Sequence, residues 1–231
     1  IHCPTPAPDN IKGFDELFDQ QKAFARELDQ SASVTEINLE NNSPHYLLLL
    51  DGEAIVGAKQ NRITQKSLIV KPRSSQTIPV NCVEQGRWRY DGDIGFTKSS
   101  FSAGPRMREA KISMLKMNLA SEVQNVVWDE IQEVSGRIKS HSATGDLGEI
   151  LNKKRHLAEQ EYRDFIGRQA CNGYLVEGAG KPYFEIFSNA QICKHHMKKI
   201  LRSLLSDCDS EEKQIAGDYK KETYINTLFG H

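Results

Sequence analysis

Four consecutive polar residues, Lys59, Gln60, Asn61 and Arg62, stand between two apolar stretches. Lys and Arg supply cationic donors, and the two amides both donate and accept. Such a set suits a polar anion, a nucleotide or a sugar phosphate. A second cluster follows: Glu84, Gln85, Arg87, Trp88 and Arg89. Arginine is directional toward carboxylate or phosphate, and an indole offers a flat surface for a base. Lys59, Gln60, Asn61, Arg62, Arg87 and Trp88 are therefore candidate ligand contacts, with Arg62 or Lys59 on phosphate and Trp88 on a ring. Glu53 and Glu84 form a candidate acid and base, since two carboxylates are the minimal set for such hydrolysis. Nothing in the spacing brings those two together. Plain structural readings stand beside these. Asn61 can hold a turn through backbone hydrogen bonds, Trp88 can plug a sheet end, and Glu84 can pair with an arginine.

Charge marks the same stretch. The chain of 231 residues carries a net charge of −1, so it is no general polyanion binder, which argues against nucleic acid. Between Gly52 and Tyr90, however, seven Lys or Arg face two acids. That field either attracts a phosphate or carboxylate or is a solvated basic sheet face.

These clusters need a sheet to hold them. Val34–Leu39 alternates and reads as a strand. The run Tyr46–Leu50 reads as a strand covered on both faces. Asp51-Gly52 signals a tight turn joining that run to 53–58 as a hairpin. Ser67–Val70 and Thr77–Val80 flank a Lys-Pro-Arg-Ser-Ser turn. Ile78, Val80 and Cys82 share one face, and Pro79 suggests an edge or a bulge. Residues 34–89 thus predict an antiparallel sheet or sandwich. Before it, Phe14, Leu17, Phe18, Phe24 and Leu28 predict one helix over 11–28.

After it, 90–105 reads as a loop rich in Gly, Ser and Asp. Residues 103–231 read as mainly helical. Ile112, Leu115 and Leu119 mark one helix, and Val123, Val127, Ile131, Val134 and Ile138 another. Asp146-x-x-Glu149 resembles a capping box before Leu147, Ile150, Leu151, Ala158, Tyr162 and Phe165. Residues 173–178 and 182–187 predict a second hairpin. Ser188-x-x-Gln191 then caps a helix that turns Ile192, Met197, Ile200, Leu201, Leu204 and Leu205 inward. The fold class is α+β, in a single domain of 1–231.

Other chemistry is thinly represented. Arg106, Arg108 and Lys111 either clamp an anion over the sheet or form a solvated first turn. Cys193-x-x-His196 is half of a zinc site with no matching second pair, so no metal or cofactor is expected. Cys82 reads as a buried thiol. Five scattered cysteines without a Cys-x-x-Cys pair suggest a reducing, cytoplasmic compartment. No apolar run nears the roughly 18–20 residues of a membrane span. There is no P-loop, Gly-x-Gly-x-x-Gly, His-Glu-x-x-His or Gly-x-Ser-x-Gly, which removes the common nucleotidase, dehydrogenase, zincin and α/β-hydrolase readings. The chain starts without Met on what reads as a strand tail, so an upstream piece is expected to be missing. Oligomeric state is left open.

Leu47–Gly52 with Gly57-Ala-Lys-Gln-Asn-Arg62, then Ile78-Pro-Val-x-Cys82-Val-Glu-x-Gly86-Arg-Trp88, resembles the signature of a microbial family. It is the ADP-ribosylglycohydrolase- and rhodanese-phosphatase-superfamily-associated protein domain family. Val127–Glu130 and Ser142-x-Thr144-Gly145 also fit, whereas the segment after Leu205 departs from the pattern. The resemblance implies a role near ADP-ribose or nucleotide-derivative metabolism, in stress or conflict systems. Three functions follow as expectations. The first is a ligand-binding or accessory domain for an ADP-ribose-like anion. The second is a hydrolase of the same ligand class using Glu53 and Glu84. The third is a structural or partner-binding module.

Overall fold

The computed structural model describes residues 10–28, 35–87, 95–153, 155–156, 159–160, 172–176, 182–187 and 189–207. The fold is α+β. The expected helix over 11–28 is instead three elements: β1 (Ile11–Gly13), α1 (Phe14–Asp19) and β2 (Ala23–Glu27). The three–four spacing is real only across Phe14 and Leu17, both buried. At Gln21 φ is +56°, which ends the helix. Ala23, Ala25 and Glu27 then alternate inward, and strand pairing on both sides of β2 overrides the helical pattern.

The next strands are β3 (Glu36–Asn41), β4 (Tyr46–Leu49), β5 (Glu53–Gly57), β6 (Arg62–Thr64), β7 (Leu68–Val70), β8 (Ser74–Cys82) and β9 (Gly95–Ser102). Every pairing within 34–89 is antiparallel, as expected, but the strands divide between two sheets. Six strands close a barrel in the order β2-β3-β8-β6-β5-β9, and β1-β4-β7 form a separate sheet. Closure draws strands from both sides of the expected region. The stretch expected to be a loop over 90–105 holds β9, which pairs with both β2 and β5. Phe96 and Phe101 anchor it despite its Gly and Ser content. Closing leaves those barrel strands no free edge.

Asp51-Gly52 is a turn, yet it joins no hairpin. It passes the chain from β4, paired with β1 and β7, to β5, paired with β6 and β9. Gly52 has φ +72°, and a Cβ there would meet the Ala103 Cβ at 2.7 Å, so glycine is needed on both counts. Pro79 sits at neither an edge nor a bulge. It lies where β8 hands over from β3 to β6, so its missing N–H falls between two ladders.

Three apolar clusters result. The barrel interior, with Ile37, Leu39, Ile55, Ile78 and Val80, continues into Phe14, Leu17, Leu47 and Leu49 of α1 and β4. The second cluster joins Ala54, Ile63 and Phe101 to α2 (Pro105–Lys116), α3 (Val123–Ile138) and α4 (Leu147–Asn152). The third joins the antiparallel hairpin β10 (Gly173–Val176) and β11 (Tyr183–Ile186) to α5 (Ala190–Asp207) and to Leu48 and Leu50. β4 is thus covered on both faces, as expected. The α3 stripe and the inward residues Ile192, Met197, Ile200 and Leu204 of α5 are buried as read.

The helix marked by Ile112 and Leu115 forms as α2, with a different face turned inward. Ile112 and Leu119 are exposed, and Met107 and Lys111 are buried instead. Lys111 goes inward because its ammonium meets Asp51 Oδ1 at 2.6 Å and the Thr64 carbonyl at 2.8 Å. Asp146 caps α4 by accepting from the Gly148 N–H at 3.0 Å. Of the expected elements, Ala158, Tyr162, Phe165 and Ser188 lie outside the described residues, as does the Leu205 side chain.

Candidate functional site

The polar tetrapeptide occupies the β5–β6 turn, and its members part company there. Arg62 and Gln60 are fully buried. Arg62 lies inside the barrel, where Nη2 is 3.5 Å from Glu27 Oε1 and Nη1 donates to Gln60 Oε1 at 3.1 Å. Burial lowers its pKa, with Cys82 and Glu27 pushing the other way. About eight strands are needed before a barrel interior has room for side chains and one small ligand. A six-stranded interior filled by Arg62 and Glu27 has no place for a phosphate. Arg62 and Gln60 are thus barrel-core groups. Cys82 is buried beside them, and burial raises its thiol pKa.

Asn61 belongs to a polar clasp. Its Oδ1 accepts from the Gly57 N–H at 3.0 Å and from Arg87 Nη2 at 3.2 Å. Its Nδ2 donates to Asp146 Oδ1 at 3.1 Å. Glu84 receives the Asn61 N–H at 3.2 Å, Arg87 Nε at 2.8 Å and Thr144 Oγ1 at 3.2 Å. Arg87 also donates to the Ala58 carbonyl at 2.9 Å. The two sequence clusters therefore meet, together with Ser142–Asp146. The side-chain oxygens of Asn61 and Glu84 are taken by the protein's own donors. Lys59 is half-buried at the turn. Trp88 lies outside the described residues.

Glu53 and Glu84 are not brought together. Glu53 starts β5, whereas Glu84 bonds Asn61 beyond the far end of that strand. Four residues of strand separate those ends by about 13 Å. Glu53 Oε1 instead meets Lys199 Nζ at 2.7 Å, and the same Nζ reaches Asp15 Oδ1 at 2.6 Å. Lys199 is held charged: burial opposes this, but Glu53 and Asp15 outweigh it and its pKa is raised. Asp15 is raised, first by burial and further by Glu53. A cavity of about 30 Å³ lies against these groups, His195 and His196, room for water and little more.

Arg108 and Lys111 do clamp an anion, and it is the protein's own. Both reach Asp51, and Arg108 pairs with Glu185 as well. Burial alone would raise the Glu185 pKa, but His196 and Arg108 hold it down to about 2. His196 is thereby engaged at 2.6 Å. Among the described residues, no group of three or more His, Cys, Asp or Glu is arranged to hold a metal.

Beside the clasp is a groove of about 450 Å³, a size common among small-molecule sites. Asn61, Asp146, Lys98, Ser99, Ser100, Asn152, Arg155 and Arg202 line it. Its wall is a β-bulge. Ser102 pairs with Glu53 and Lys98 with Ile55, so β9 carries extra residues between those pairs, and they face the groove. Arg202 is buried, and its Nη1 donates to Ser100 Oγ at 2.6 Å. Burial first, and then the neighbouring charge of Arg155, lowers its pKa. Both arginines approach Glu159, Arg155 at 2.8 Å and Arg202 at 3.7 Å. None of the groove's three cations was among the expected contacts. Lys98 and Arg155 gave no signal, because the bulge that places Lys98 is set by long-range pairing and Arg155 stands beyond the end of α4.

Among the described residues, no helix is long and apolar enough to cross a membrane. Neither a curated protein nor a solved structure matches this chain. A family sequence model matches residues 1–228 and takes in the segment after Leu205 that departed from the resemblance. Among the residues that carried the resemblance, Gln60, Asn61 and Arg62 stand in the barrel turn and Glu84, Arg87 and Thr144 in the clasp. The chain belongs to the ARPP-1 family, the ARG and Rhodanese-Phosphatase-superfamily-associated Protein domain.

Proposed function

We propose that this domain binds an anionic nucleotide derivative, ADP-ribose in kind, in the groove beside the clasp. One observation carries the reading: Arg155 and Arg202 stand on one ligand-sized groove with the exposed Glu159 carboxylate shared between them at 2.8 and 3.7 Å, and Lys98, paired with Asp19, stands on the same wall. A phosphate between the two guanidinium groups takes the place of that carboxylate and accepts directional hydrogen bonds from both. Arg155 and Arg202 thus take the phosphate role first given to Lys59 and Arg62, and Asn61 stays at the site through its edge of the groove. The family's name associates its members with ADP-ribosylglycohydrolases, which selects ADP-ribose among the anions to try. The domain is then a binding or accessory component of ADP-ribose or nucleotide metabolism. The buried cysteines Cys82 and Cys193, neither in a disulfide, suit a cytoplasmic setting. Calorimetric titration with ADP-ribose, AMP and NAD tests this. Heat with at least one of them, lost in Arg155→Ala/Arg202→Ala, is expected. No heat with any of the three overturns the reading.

A further inference from the structure

We infer that Asp146 is the specificity residue of the groove, accepting a hydrogen bond from a ribose hydroxyl of the ligand. The inference rests on the groove reading and names what the ligand carries besides its phosphate. Asp146 lines the groove beside Asn61 and is nearly buried. Asn61 Nδ2 and the Gly148 N–H both bond its Oδ1, at 3.1 and 3.0 Å, and the Glu149 amide also leans on the carboxylate. An ionised carboxylate offers roughly four acceptor positions, so three donors leave it capacity. That remaining capacity is acceptor-only, and Asp146 lines the groove together with Ser99, Ser100, Asn152 and the three cations. A ligand that brings a phosphate to the arginines and hydroxyl donors to this wall is a ribonucleotide or a ribose phosphate.

The clasp gains a purpose on this account. Arg87 fixes Asn61, Asn61 fixes Asp146, and Glu84 fixes Arg87. The side chain that reads the sugar is thus held in one orientation before ligand arrives, which lowers the ordering cost of binding. The groove also contains a competing anion, Glu149, but it is exposed at the rim, whereas Asp146 is positioned from behind.

Calorimetry with AMP and 2′-deoxy-AMP on the full chain tests the inference. Wild type is expected to bind AMP roughly ten-fold more tightly, the worth of one good hydrogen bond. In Asp146→Asn, which keeps a capping side chain, and in Asp146→Ser, which does likewise, the ratio is expected to fall below about two-fold. Binding of 2′-deoxy-AMP should be unchanged. Equal affinity of wild type for the two nucleotides, or a ratio that survives both substitutions, overturns the role of Asp146 and leaves the groove standing. Failure of wild type to bind any of AMP, 2′-deoxy-AMP and ADP-ribose overturns the groove reading as well.

Discussion

The clasp and the groove share Asn61 and Asp146, yet they treat charge in opposite ways. In the clasp every strong donor meets an acceptor of the same chain: Arg87 has Glu84, the Ala58 carbonyl and Asn61. In the groove the pairs lie at an open surface: two arginines share one exposed glutamate, Lys98 meets the exposed Asp19, and Asp146 and Glu149 line the same space. Polar groups that are buried and fully paired hold structure, and charges paired at an open groove wall are placed to exchange partners with something that arrives. The lesson is that a dense polar motif need not be the binding surface. Here it supports the binding surface from behind.

The largest expected effect lies in the clasp. Arg87→Met strands the buried Glu84 carboxylate and should cost about 3 kcal/mol in urea unfolding, since removing one partner of a buried pair is expensive. A loss under about 0.5 kcal/mol would mean the clasp is ordinary surface.

Next comes the groove. Arg155→Ala should leave stability within about 0.5 kcal/mol, as for most exposed positions. It should weaken ADP-ribose binding about ten-fold, a charge-assisted bond's worth. If stability falls more than affinity, the contrast between the two regions collapses.

The pH dependence is a finer discriminator. Burial raises the Asp146 pKa above 3.8. The folded chain then holds that proton more tightly than the unfolded chain, so this group's contribution declines as pH rises from 3.8 through its folded value. In Asp146→Asn that decline should vanish from stability measured across the same range. A steeper decline in the variant would reverse the assignment. Smallest of all is Lys59→Ala, expected to change both stability and ADP-ribose affinity by less than about 0.5 kcal/mol, because Lys59 belongs to the turn and not to the groove.

Local patterns carried much of the fold. The α3 stripe, the second hairpin, the Asp146 cap and both covered faces of β4 were legible because period and capping are encoded nearby. Barrel closure was not. β2 carries a helical spacing, and β9 carries loop composition, and each becomes a strand only because partners arrive from far along the chain. The site split the same way. The two clusters holding Asn61, Glu84 and Arg87 were marked by their residue types, but their meeting was left to the structure. The burial of Arg62 inside the barrel was not, since one residue's shift in register decides whether a strand side chain faces the core or solvent. Lys98 and Arg202 are separated by most of the helical half, and only the packing of α5 along β9 unites them.

The most direct test is a crystal structure of the chain with ADP-ribose. The account predicts density for the diphosphate between Arg155 and Arg202, with a ribose hydroxyl on Asp146 and the clasp unchanged. Density seated instead on Lys59 and Arg87 with the clasp opened, or an empty groove at saturating ligand, would contradict it.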